Sequence, residues 1–333
     1  MRKLELHARE GEAFAHAIRA IEAADPVDYY VTDLQRRDRR FVCVFLKTET
    51  SQSLVDNLHR VFEDEADWRI TLQTIEATVP ELDPPAAEPT SSIASKALRE
   101  EIYSSVAAGS KLDRDYLLLV ALSTVVAAAG LNADSAAGVI GAMVIAPLLG
   151  PILAFGLGAA LGDRKLLSGS VLALCLGVLV ALALSVGFSL LVEVDLSSRE
   201  LESRAEVRLD GMALAIAAGA AAALSMARGQ NTALVGVMVA AALLPPIAAV
   251  GLFIGSGHWE PAGRAALLLL LNVSSLIFAS LVVFYWRGIR PRGWLERQNA
   301  KRAVAINLFL AVGMLSLCVY LIATLGLGER FSL

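Results

Sequence analysis

Four prolines lie inside long apolar stretches of this sequence, and their type and spacing give them a chemical role. Proline has no N–H and its ring obstructs the carbonyl of residue i−4, so each proline pair removes helical hydrogen bonds near the middle of an apolar segment. Carbonyl oxygens freed in hydrocarbon are costly unless they face protein, water or an ion. One interpretation is a broken helix pair that lines a solute or ion pathway, and the other is a pair of ordinary kinked helices. The predicted pathway residues are Pro147, Gly150, Pro151, Pro245, Pro246 and Asn272.

A short polar break precedes each proline-containing stretch. Side chains of these types accept hydrogen bonds from the free N–H groups at a helix start, so helix capping is one interpretation. The other is a pair of gates on opposite faces of the membrane. The residues concerned are Asn132, Asp134 and Ser135 in the first break and Gln230, Asn231 and Thr232 in the second.

Ionisable groups are missing from the middle of every long apolar stretch, where the sequence has no Asp, Glu, Lys, Arg or His. Proton relays and voltage sensors need such groups, and an enzyme needs an arrangement of acid, base or nucleophile. The three cysteines form no CxxC pair, and the histidines lack the spacing of metal ligands. We therefore expect no catalytic residue, no metal site and no cofactor, and we expect that the protein is not an enzyme.

The composition indicates a membrane protein, because 56% of the 333 residues are apolar and only 19% are charged. Apolar stretches of about 20 residues, enough to cross a hydrocarbon core, recur from residue 115 onward. We predict seven spans, at about 115–131, 136–161, 166–192, 211–228, 233–255, 264–286 and 303–325.

Two segments of the apolar region are similar to each other. Val139–Gly158 and Leu234–Phe253 align at a constant offset of 95 residues, with 11 of 20 positions identical, including glycine, methionine and proline positions. The similarity predicts repeats at about 112–192 and 209–286, each with three spans. Because three is an odd number, the two copies enter the membrane from opposite sides, as in many secondary transporters. The alternative is a fossil duplication in a membrane scaffold.

The first part of the chain has the pattern of a soluble domain. Between Lys3 and Val79 the periodicity changes between 2 and 3.6 in the order strand, helix, strand, strand, helix, strand. This order is that of a ferredoxin-like α+β domain. We assign residues 1–79 to this domain, 80–90 to a proline-rich linker, 91–110 to an amphipathic connecting helix and 111–333 to the transmembrane domain.

Basic residues near the ends of the predicted spans are unevenly distributed between the two sides. Thirteen lie on the side of the N-terminus and five on the other side. Because basic residues near spans stay in the cytoplasm, we predict a protein of the cytoplasmic (inner) membrane with the N-terminus inside and the C-terminus outside. The chain has a net charge of −4 and no basic block, which argues against a nucleic-acid partner.

Several short motifs resemble a known family. The string GAMVIAPLLGPI at Gly141–Ile152, followed by Gly162-Asp163, is similar to the bacterial and archaeal membrane-protein family catalogued as domain of unknown function 389. The stretch Arg99–Tyr103 and the N-terminal strand–helix module also resemble that family. The resemblance implies a hydrophobic multi-span core with a small soluble domain, and it brings no activity, substrate or site residue with it.

These observations lead to two functional hypotheses, of which the first is favoured. The first hypothesis is a transporter or channel-like protein for an unidentified small solute or ion, with a cytoplasmic regulatory domain. The alternative is a membrane-anchored sensor or scaffold whose soluble domain binds a ligand or partner.

Gly158-x-x-x-Gly162 and Gly251-x-x-x-Gly255 allow close helix approach within or between chains, and we expect a homo-oligomer, a dimer or trimer.

The predicted topology places Arg292 and Leu333 on opposite sides of the membrane. Single cysteines at these positions should therefore react with a membrane-impermeant maleimide from opposite faces of oriented vesicles, because one span separates them. Labelling of both from the same face would contradict the seven-span topology.

Overall fold

The chain folds into two compact units, Met1–Arg99 and Glu100–Leu333. The structure, a computed structural model, describes residues 1–34, 39–75, 99–207, 209–229 and 233–289, together with isolated residues between 309 and 324. The predicted linker at 80–90, most of the seventh predicted span and the polar residues Gln230, Asn231 and Thr232 lie outside the described residues.

The N-terminal unit contains a four-stranded sheet and two helices. The elements are β1 (Arg2–Arg9), α1 (Glu12–Ala23), β2 (Asp28–Leu34), β3 (Arg39–Leu46), α2 (Thr48–Val61) and β4 (Arg69–Thr74). Their order agrees with the order that the sequence patterns predict. In the sheet the strands lie in the order β2-β3-β1-β4, and each neighbouring pair is antiparallel.

Alternation along the strands places the core of this unit on one face of the sheet. Leu4 and Leu6 of β1 are fully buried in one cluster with residues of both helices, among them Ile21 of α1 and Leu58 of α2. Both helices therefore cover the same face of the sheet. Their apolar residues recur at helical spacing, which is why each helix buries one side only.

The described residues of the C-terminal unit form helices joined by turns and loops, and they contain no strand. Its helices are α3 (Arg99–Gly109), α4 (Arg114–Asn132), α5 (Ala136–Ile145), α6 (Leu149–Leu161), α7 (Arg164–Leu191), α8 (Arg199–Glu202), α9 (Leu209–Ala227), α10 (Ala233–Gly255) and α11 (Trp259–Trp286).

Polar residues between the apolar stretches set where several of these helices begin. The side chain of Asp113 accepts a hydrogen bond from the backbone N–H of Tyr116 (2.8 Å) at the start of α4. Asp163 Oδ1 accepts from the N–H of Leu166 (3.1 Å) at the start of α7. Such caps satisfy N–H groups that have no partner within the helix.

Among the described residues of the C-terminal unit, three helices, α4, α7 and α11, are long and apolar enough to cross a membrane. The pair α5 and α6 passes the same test together, although the two helices are bent by 52° at a short break, so it counts as a fourth candidate span. Helices α9 and α10 are apolar too, and the parts of them described in full, Gly211–Ala227 and Val239–Gly255, are shorter.

Candidate functional site

The first proline-containing stretch is broken. Helix α5 ends at Ile145 and α6 begins at Leu149, with the two helices bent by 52°. Ala146, just before Pro147, has φ −66° and ψ 122°, the extended conformation that a following proline favours. Pro151 lies in the first turn of α6, where its missing N–H costs no helical hydrogen bond.

The second proline-containing stretch is a continuous helix, so the two stretches differ between the two interpretations that the sequence leaves open. Helix α10 runs from Ala233 to Gly255 with Pro245 and Pro246 inside it. The repeat offset of 95 explains the difference, because it pairs Pro147 with Ala242, which keeps its N–H. The proline that interrupts the first copy therefore has no counterpart in the second.

Asn272 on α11 compensates for one of the hydrogen bonds that α10 loses. Pro246 has no N–H to give to the carbonyl oxygen of Ala242, four residues earlier. Asn272 Nδ2 donates to that oxygen at 2.8 Å, and the Asn272 residue is only 6% exposed. The buried amide of Asn272 thus forms an interhelical hydrogen bond at the proline turn. This bond places Asn272 next to the turn that contains Pro245 and Pro246.

Gly150, at the start of α6, lies against the backbone of α3. A methyl group added at Gly150 would meet the carbonyl carbon and oxygen of Gly109 and would lie 3.2 Å from Gly109 Cα. Only glycine fits this approach without a shift of α3. The prediction that Pro147, Gly150 and Pro151 face the Pro245-Pro246 turn across a pathway stays a prediction, since the described contact of Gly150 is with Gly109.

Helix α3 has a second attachment at the other end of α6. The hydroxyl of Tyr103 donates to Asp163 Oδ2 at 2.8 Å, while Asp163 Oδ1 caps α7. Ile102 and Val106 of α3 are buried as well. The Arg99–Tyr103 stretch and the Gly162-Asp163 pair, which carry part of the family resemblance, are therefore joined directly in space.

Two helix crossings in the C-terminal unit mirror each other. A methyl group at Gly156 of α6 would clash with the side chain of Ser280 on α11. A methyl group at Gly251 of α10 would clash with Ser185 on α7 and would lie 3.1 Å from the carbonyl oxygen of Leu182. The offset of 95 converts Gly156 into Gly251 and Ser185 into Ser280. Each half of the unit therefore offers a glycine to the equivalent serine of the other half.

The glycine pair Gly251 and Gly255 is used within the chain. A methyl group at Gly255 would meet the side chain of Ser189 and would lie 3.1 Å from the carbonyl oxygen of Val186, both on α7. Close approach at this pair therefore joins α10 to α7 rather than one chain to another.

The first polar break has the hydrogen bonds of a cap and of loop attachments. Ser135 Oγ accepts from the N–H of Gly138 (3.2 Å) and caps α5. Asn132 Oδ1 accepts from the N–H of Asp195 (2.7 Å), and Asp134 Oδ1 accepts from the N–H of Glu200 (2.9 Å). These bonds fasten the α4–α5 turn to the segment that follows α7. Ser135 therefore acts as a helix cap, and Asn132 and Asp134 hold the neighbouring segment instead.

A unit of long apolar helices joined by short connections is the architecture of a membrane protein. The family model described as Domain of unknown function (DUF389) matches residues 143–278. An uncharacterized protein of Methanocaldococcus jannaschii is 31% identical over 271 residues, which cover 80% of this chain and 83% of that protein. The chain belongs to the DUF389 family, as the Gly141–Ile152 string predicts. No solved structure matches the chain.

The contact between Gly150 and Gly109 makes a prediction about stability. Gly150→Ala should lower the thermal unfolding midpoint of the purified protein, because overpacking against a fixed backbone costs about 1–3 kcal/mol. Gly141→Ala is the matched control, since a methyl group there meets nothing within 4 Å and alanine favours a helix. An unchanged or higher midpoint for Gly150→Ala would contradict the contact.

The hydrogen bond between Tyr103 and Asp163 makes a prediction about pH. This bond, with desolvation second, raises the pKa of Tyr103 above its ordinary value of 10.0. A raised pKa means that the neutral phenol stabilises the fold fully below pH 10, and that this stabilisation is lost as pH rises through the higher pKa. Tyr103→Phe should therefore lower the unfolding midpoint at neutral pH and converge with the wild type at alkaline pH. A difference that does not change with pH would argue against the bond.

Proposed function

We propose that this protein is a transporter or channel-like protein of the cytoplasmic membrane for a small solute or ion. In this proposal the C-terminal unit is a 3+3 inverted repeat with an accessory seventh span, the N-terminal unit is a cytoplasmic regulatory domain and the C-terminus lies outside. The protein is not an enzyme in this proposal, and its surroundings are the lipid bilayer and further copies of the chain, as a dimer or trimer.

The observation that carries the proposal is the mirrored pair of glycine–serine crossings. Gly156 faces Ser280, and Gly251 faces Ser185. An internal two-fold axis that exchanges the two halves would convert one crossing into the other, because both pairs are related by the offset of 95 residues. Halves related in this way can exchange conformations and open a central site to either side, which is how inverted-repeat transporters work.

The neighbours of the helices support the same internal symmetry. Helix α4 packs against α7, and its counterpart α9 packs against α11. Helix α6 packs against α7, and its counterpart α10 packs against α11. The packing of α7 on α10 matches that of α11 on α6. The asymmetric feature is the break before α6, which places irregular backbone in one half only.

The strand order supports a ferredoxin-like assignment for the soluble unit. A ferredoxin-like domain has the element order β-α-β-β-α-β, and this unit has that order with an antiparallel sheet β2-β3-β1-β4 and both helices in one core.

A homo-oligomer would have to use surfaces other than Gly251 and Gly255, which pack within the chain.

One observation favours the second candidate, a membrane-anchored scaffold or sensor. Helix α10 is continuous, and it is buried from Leu243 to Phe253. A tightly enclosed central helix is what a static core requires. The two candidates differ in whether the break before α6 serves movement of a solute or only shapes the fold.

A single substitution at the break tests the choice between them. Pro147→Ala returns an N–H that can bond to the carbonyl of Met143 and allows α5 and α6 to join. We expect lost flux with unchanged mass and dispersity, in proteoliposomes assayed with Na⁺, K⁺, chloride, phosphate and small neutral solutes. Gly141→Ala in the same stretch should transport like the wild type. No flux in the wild type would count against the transporter, whereas full flux in Pro147→Ala would show that the break before α6 only shapes the fold.

A further inference from the structure

One buried oxygen in the C-terminal unit has no partner among the described residues. Asn272 is 6% exposed, its Nδ2 donates to the carbonyl of Ala242, and its Oδ1 has no hydrogen-bond partner. A buried acceptor left unpaired destabilises a fold markedly, and unpaired groups of this kind in native proteins often mark the place of a water or an ion.

Further oxygens lie beside this unpaired acceptor. The oxygen and the nitrogen of a planar amide are about 2.2 Å apart. Because Asn272 Nδ2 lies 2.8 Å from the carbonyl oxygen of Ala242, Asn272 Oδ1 lies within about 5 Å of that oxygen. Pro245 and Pro246 have no N–H to give to the carbonyls of Ala241 and Ala242. Ala241 and Ala242 are half-buried and lie between buried residues on both sides, Val239 and Ala240 before them and Leu243 to Phe253 after them. The proline turn therefore concentrates neutral oxygen acceptors at a point that can be reached from outside α10.

The chemistry of these groups selects a class of ligand. Helix α10, and α11 beyond Arg264, contain no Asp, Glu, Lys, Arg or His. Anions need donors, and divalent cations favour carboxylates or keep their water. Rings of neutral carbonyl oxygens, in contrast, replace the hydration shell of monovalent cations. We propose that Asn272 Oδ1 and the carbonyl oxygens of Ala241 and Ala242 form a binding site for an alkali cation, Na⁺ or K⁺.

This site adds a ligand to the proposed transport function. The bound cation has a role as a permeating or coupling ion only if that proposed function holds. Binding itself can be measured without transport. A cation that binds the folded protein raises its stability by an amount set by concentration and dissociation constant. The unfolding midpoint of the full chain in detergent is therefore the primary measurement, in NaCl, KCl and choline chloride at equal ionic strength.

The variant must remove the oxygen without leaving another group unpaired. Asn272→Leu alone would deprive the Ala242 carbonyl of its donor. Combining it with Pro246→Ala restores a backbone N–H that can bond to this carbonyl, so the double variant lacks the Asn272 oxygen but keeps its helix satisfied. Ser185→Ala is the matched control, because Ser185 Oγ is also buried without a partner and lies on another helix.

We expect Na⁺ or K⁺ to raise the midpoint of the wild type by about 2–4 °C relative to choline. The double variant should lose this rise and Ser185→Ala should keep it. Equal midpoints in all three salts would overturn the site. A rise that persists in the double variant, or that disappears in Ser185→Ala, would overturn it by locating the cation elsewhere.

Flux measurements separate this inference from the proposed function. A cation-dependent rise that depends on Asn272, in a protein that moves none of the assayed solutes, would retain the site as structural and remove the transporter. Flux in a wild-type protein without any cation-dependent rise would retain the transporter and remove the site.

Discussion

Close approach of one helix backbone to another at glycine is the constraint on which the C-terminal unit depends. Gly156 and Gly251 each admit a serine from the other half, and Gly219 of α9 lies against the backbone of Leu276 on α11. Between apolar helices in lipid there is little hydrophobic driving force, so van der Waals contact at small residues takes its place. A methyl group at any of these positions would require the facing residues to shift.

The two similar proline-containing segments accommodate their prolines differently. In the first segment, Pro147 interrupts the helix and the chain restarts with Pro151 in a first turn. In the second, Ala242 replaces the first proline and Asn272 supplies the hydrogen bond that Pro246 cannot. The position equivalent to Asn272 is Gly177, which lies against Tyr116. The two segments thus differ where their polar groups meet.

Local sequence patterns predict much of the secondary structure. They do not predict the contacts between residues that are far apart in the chain. Alternation and helical spacing predict the element order of the N-terminal unit, and the prolines predict a break or a kink in each proline-containing stretch, because these effects act within a few residues. The hydrogen bond from Asn272 to the Ala242 carbonyl joins residues 30 positions apart, so no local pattern predicts it. The serine partners of Gly156 and Gly251 have no periodic signal of their own, although the offset of 95 relates them once either pair is known.

The mirrored crossings also constrain how the chain is made. Ser185 leaves the ribosome 66 residues before Gly251, and Gly156 leaves it 124 residues before Ser280. At about 5–20 residues per second, the first half waits roughly 3–25 s before its partner surfaces are synthesised. During that interval its small-residue faces meet only lipid or the insertion machinery. The contacts of Gly156 and Ser185 can therefore form only after Ser280 and Gly251 have been synthesised.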